Sequence, residues 1–126
     1  MDKNSRDKFD LEERLIEFAV SIIALAELLP NSRIATNLAN QLVRSGTSPA
    51  LNYGEAQSAE SRNDFIHKLK IVLKELRETS ISLKIMKRVG FGESSGLLQA
   101  CLDESLELIA IFAKSLMTAK SKKIAR

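Results

Sequence analysis

The stretch "RSGTSPALNYGEA", Arg44 to Ala56, decides how the helices of this chain are counted. It sets Gly46, Pro49 and Gly54 among small and polar residues, between segments that repeat with helical spacing. As a linker it would separate two units. As a kink it would lie inside one longer helix. Ser48-Pro49 reads as a cap followed by a first helical residue, restarting a helix at Ala50. Pro49 reads equally as a bend in a helix that opens near Arg33. Both readings leave amide hydrogens near Gly46 to Ser48 in need of partners, with Thr47 or Ser48 closest at hand.

The flanking segments favour a helical fold. Upstream, Leu11, Leu15, Phe18, Ala19, Ile22, Ala26 and Leu29 recur at three- and four-residue steps, so a helix is expected from about Phe9 to Leu29. Ile16 and Ile23 are expected to widen its buried face. Pro30 stops it, and Asn31 or Ser32 can cap the next. There, Ala35, Leu38 and Leu42 form a modest stripe. Beyond the proline, Ala56 and Ala59 would let the chain approach a neighbour closely.

The clearest helix begins after Ser61, a good N-cap, with Asp64 three residues on. Phe65, Leu69, Val72, Leu76, Thr79, Leu83 and Met86 trace a near-heptad stripe, flanked by Ile66 and Leu73. Lys74 and Glu78, one turn apart, can add slight surface support. Gly90 ends the helix. Ser94 or Ser95 can cap a fourth, in which Leu97, Cys101, Leu102, Ser105, Leu108, Ile109, Phe112 and Leu116 share the same period. Short connections then predict an all-α, up-down-up-down antiparallel four-helix bundle. It would be a single domain, residues 1–126, frayed at 1–8 and 120–126, with its second helix kinked or interrupted near Pro49. Ile71, Ile85, Leu98 and Ile111 fall off the main stripes, which predicts self-association.

Composition narrows the function. Hydrophobic residues make up 44% of 126 and aromatic residues only 5%, so aliphatic side chains must build the core. A lone cysteine excludes an internal disulfide framework. No apolar leader opens the sequence and no run suits a membrane span, so a cytoplasmic protein without membrane contact is expected. The net charge is +3 but unevenly spread: residues 1–29 carry four bases and seven acids, and residues 61–90 carry eight bases and three acids. An acidic first segment and a basic third can orient neighbouring helices or subunits, or attract phosphate.

Few residues suggest chemistry. His67, with Asp64 and Glu60 upstream, has a superficially ligand-like spacing but matches no metal pattern. Cys101 sits on an apolar stripe, as a small hydrophobe does. No phosphate-cradling glycine loop and no acid-base pair is present. No cofactor, metal or enzymatic activity is expected. Arg44, Ser48, Asn52 and Glu55 are expected to form a structural polar network around the kink, with Arg44 serving Glu55 within or between subunits. Lys70, Lys74, Arg77, Lys84 and Arg88 recur at turn-like intervals, a ridge roughly perpendicular to the core stripe and a candidate for nucleic-acid binding. Glu75 and Glu78 are expected to weaken its potential.

Most of the chain, and most specifically the segment from Arg33 to Arg88, resembles the bacterial four-helix-bundle family known as the 23S ribosomal RNA intervening-sequence proteins. Arg44 occupies the family's basic position before its Thr-Ser-Pro region, and Ser48 its small polar residue there. Asn52 and Glu55 match the Asn-x-x-Glu pattern. Asp64, Phe65 and Leu69 match the Asp-Phe-x-x-x-Leu opening of the third helix. The chain departs from the family in having Tyr53 after that Asn and Ala56 after that Glu. The resemblance implies an up-down bundle assembled as a homopentamer. A similar bundle, the accessory protein of diversity-generating retroelements, is a basic pentamer that associates with nucleic acid and reverse transcriptase. Residues and resemblance together predict an oligomeric, non-enzymatic scaffold or accessory protein that binds an RNA or DNA backbone. The alternative is a structural module that binds only protein.

Overall fold

A computed structural model describes residues 3–92 and 95–125, and the side chains of 11–92 and 95–122. Four helices follow in order: α1 (Lys3–Glu27), α2 (Arg33–Gln57), α3 (Arg62–Val89) and α4 (Leu97–Ala125). Each packs on its neighbours in sequence, and α1 closes the bundle more sparsely against α4. The arrangement is a sequential up-down four-helix bundle. Of the ends expected to fray, residues 1, 2 and 126 lie outside the described residues.

The helix boundaries have local causes. Ser32 Oγ accepts the Ala35 amide at 3.2 Å, and Ser61 Oγ accepts the Asp64 amide at 3.0 Å. Gly90 ends α3 at φ 94°, a left-handed conformation that glycine adopts without a Cβ penalty. The Phe91 amide then bonds back to the Met86 carbonyl at 3.0 Å, the six-to-one link of a Schellman cap. Ahead of α4, Ser95 Oγ accepts the Leu97 amide at 3.2 Å. The other candidate cap, Ser94, falls outside the described residues.

The core is aliphatic, as composition requires. Leu15, Ile22, Leu25, Leu42, Leu69, Leu76, Leu83, Met86 and Leu108 are fully buried with Phe112. Tyr53 is buried too and meets Phe112 edge-on, with ring centroids 5.3 Å apart. The stripe expected on α3 is the stripe observed. Two faces differ from expectation. On α1, Ile16 and Ile23 are exposed and Leu25 fills the core. On α4, Leu98 is buried, and Ile111 is partly buried against the core.

The quoted stretch lies inside α2, which runs without interruption through Pro49. The helix does not restart at Ala50. The backbone groups served by side chains are therefore carbonyls rather than amides. In a continuous helix the missing proline N–H deprives a carbonyl one turn earlier. That carbonyl is Ser45's, and the side-chain donors on either side of it serve other carbonyls. Thr47 Oγ1 donates to the Val43 carbonyl at 2.7 Å, and Asn52 Nδ2 donates to the Ser48 carbonyl at 3.0 Å. Gly46 faces α1 so closely that an added Cβ would stand 2.7 Å from Ile22 Cγ2.

Candidate functional site

Two polar features could carry function: the seam between α2 and α3, and the outer face of α3. The seam is built one helical turn at a time. Ser45 and Thr79 face each other in the interior, and their hydroxyls bond at 3.0 Å. Thr79 also donates to the Glu75 carbonyl at 2.8 Å. At the rim of the seam, Arg44 Nη1 donates to Glu75 Oε2 at 3.2 Å and Nη2 to Glu78 Oε2 at 2.6 Å. One guanidinium thus clamps two carboxylates, using its fixed fork of donors.

The two carboxylates are held differently. Burial pushes the Glu75 carboxyl above its ordinary range, and the adjacent Glu78 adds to the rise. Hydrogen bonding from Arg44 holds the more exposed Glu78 below that range. Across the bundle, Arg14 of α1 grips Glu104 through Nε at 3.1 Å and reaches Glu107 at 3.2 Å.

The four residues expected to form one network fall into three local arrangements. Arg44 serves Glu75 and Glu78. Asn52 donates to Ser48 Oγ at 2.9 Å as well as to its carbonyl. Glu55 accepts from Lys68 Nζ at 2.8 Å. Within one chain Arg44 does not reach Glu55. In a continuous helix eleven residues span about 16 Å, farther than an arginine extends. The missed partner was Glu75. Its place between Val72 and Thr79 on the buried stripe is the signal, because a carboxylate there requires donors.

The outer face of α3 is a ridge of cations. Lys70, Lys74, Arg77, Lys84 and Arg88 are all exposed. Their spacing keeps them on one side of the helix, turned away from the buried stripe. Lys70 and Arg88 stand about 27 Å apart along the axis. Among the described residues, no carboxylate lies within ion-pair distance of any of the five. Glu75 and Glu78 both bond to Arg44, and Glu78 still feels the charge of Lys74 on the ridge.

Chemistry has little foothold elsewhere. Among the described residues, no three His, Cys, Asp or Glu side chains gather as a metal ion would require. Burial pushes the Cys101 thiol up to about 11, which leaves it protonated and unreactive at neutral pH. Two open depressions of about 580 and 430 Å³ flank the α2–α3 turn and share Arg62 and Phe65. Neither pairs two carboxylates nor places a histidine among its described lining residues.

Residues 7–112 match the family described as 23S rRNA-intervening sequence protein. The chain belongs to this family. A solved crystal structure from Bacteroides thetaiotaomicron VPI-5482, described as a protein with unknown function from the S23 ribosomal protein family, is similar at 32% identity. It superimposes with a TM-score of 0.78 over 87% of this chain and 97% of that one. No curated protein matches. Neither description names a reaction. Among the described residues, no helix is long and apolar enough to cross a membrane.

Proposed function

We propose that this intervening-sequence family protein is a homo-oligomeric scaffold that holds a nucleic-acid phosphate backbone along α3. The supporting observation is the ridge: five exposed cations on one face, with no ion-pair partner among the described residues. Such a surface positions phosphates and does not read bases. Repetition around a ring, the homopentamer that the resemblance implies, would multiply the attraction. The family's printed description names ribosomal RNA, which makes structured RNA the first ligand to test.

The test is a salt-dependent titration of nuclease-treated protein against structured RNA, single-stranded DNA and duplex DNA. Each phosphate contact adds about 0.7–0.9 to the slope of log affinity against log salt. Combined Lys70→Ala, Lys74→Ala and Arg77→Ala substitutions should lower affinity and reduce that slope by about 2. Adding Lys84→Ala and Arg88→Ala should weaken binding further. Unchanged affinity at low salt overturns the reading.

A second reading has its own support. Ile81 and Ile85 stand exposed among the cations, which suits a protein surface better than a phosphate track. A salt-insensitive partner and no nucleic-acid binding would favour a purely protein-binding module.

A further inference from the structure

The outer face of α1 is apolar where a solvent-facing helix should be polar. Ile16, Val20 and Ile23 recur at steps of four and three, each between 42% and 56% exposed. They lie on the side away from Leu15, Ile22 and Leu25, which fill the core. The exposed carboxylates Glu13, Glu17 and Glu27 border them, and none has an ion-pair partner among the described residues. The helix's own Arg14 is turned to α4.

The C-terminal part of the α3 ridge carries the complementary pattern. Ile81, Ile85 and Val89 are between 47% and 58% exposed, with Lys84 and Arg88 among them. Closer to the α2–α3 turn, Lys70 and Lys74 have no exposed large aliphatic beside them on the face, and Arg77 stands at the boundary, one turn before Ile81. Pairing α1 with α1 of another copy would set acids against acids. Pairing α3 with α3 would set bases against bases. Only α1 against α3 matches both charge and apolar surface. The two helices are not packed neighbours within the bundle, so one subunit cannot satisfy the match internally.

We propose that the α1 face of one copy, Ile16, Val20 and Ile23 with their flanking glutamates, docks on Ile81, Lys84, Ile85, Arg88 and Val89 of a second copy. This contact rests on the oligomeric part of the function proposed above and names its faces. It is heterologous, head to tail, and repeats until a ring closes. It gives Lys84 and Arg88 a protein partner, so their loss weakens phosphate binding by breaking up the ring, while Lys70, Lys74 and Arg77 face phosphate directly.

A charge exchange tests the pairing. One variant carries Glu13→Lys, Glu17→Lys and Glu27→Lys. The other carries Lys84→Glu and Arg88→Glu. Each alone opposes like charges and should fall to the 14.0 kDa mass of one chain by light scattering. Mixed in equal amounts, each α1 face can meet an oppositely charged α3 face of the other variant, so the mass should rise well above that of one chain, even though a ring of five cannot alternate the two at every contact. Ile16→Ser, Val20→Ser and Ile23→Ser together should also give single chains, with a helical melt close to the parent's because these side chains are exposed. Wild-type mass in either charge variant, no recovery on mixing, or a single-chain wild type overturns the contact. RNA titration of the Lys70→Ala, Lys74→Ala, Arg77→Ala variant separates the two claims. Affinity lost there, while the charge variants stay assembled, sinks the contact and spares the phosphate reading.

Discussion

Towards α1, helix α2 presents Gly46 to Ile22, with no room for one more carbon. Towards α3, one and two residues earlier, it presents Ser45 to Thr79 and Arg44 to Glu75 and Glu78. The first seam is held by shape and the second by matched donors and acceptors. The two fail differently. A close apolar contact between a glycine and a β-branched side chain tolerates almost no change of volume. A polar seam tolerates changes of volume at its rim but responds to pH, because its members titrate.

The sharpest way to break the first seam is Gly46→Ala. The substitution adds about 1 kcal/mol of helix propensity. Overpacking against Ile22 opposes it with about 1–3 kcal/mol, since a β-branched side chain has few rotamers to retreat into. Thermal or urea unfolding should show net destabilisation. Glu75→Gln probes the second seam. A carboxyl held above its ordinary value adds stability that is whole below its unfolded value, 4.5, and is lost as pH rises through the folded value. Glu78, held low, works oppositely: its contribution is present above the unfolded value and lost as pH falls through the folded one. The amide in Glu75→Gln cannot titrate. The stability of this variant relative to the parent should therefore rise as pH climbs from 4 to 7, and a constant difference in melting temperature would refute the burial-raised carboxyl. The smallest effect belongs to Gly54→Ala. An added Cβ there meets nothing within 4 Å, so propensity alone acts and the variant should gain about 0.5–1 kcal/mol. Two glycines in one helix then respond with opposite signs.

Sequence pattern located the four helices, and on α3 it located the buried face and both caps. On α1 it placed Leu15, Phe18 and Ile22 inside but wrongly added Ile16 and Ile23, for a physical reason. Ile16, Val20 and Ile23 repeat as regularly as Leu15, Ile22 and Leu25, and a period alone does not say which stripe meets a neighbour. The pairing of Arg44 was hidden for another reason. It depends on how α2 and α3 slide past each other, which no spacing within either helix records. The continuity of α2 was legible in part. Proline argued for a break, while Thr47 and Asn52, already in the quoted stretch, bond back to carbonyls four residues earlier as side chains inside a helix do. The cationic ridge was plain from its turn-like repeat. Its division into a polar stretch and an aliphatic one emerged only with exposure.

Cys101 sits beside Phe18 and Glu104, along the sparsely packed join of α1 and α4. Its sulfur is buried and protonated at neutral pH, so an alkylating reagent finds neither access nor a thiolate in the closed bundle. Labelling must wait for α1 and α4 to part. The one thiol of this chain is thus a stopwatch set into its loosest join, and its alkylation rate counts how often the bundle opens there.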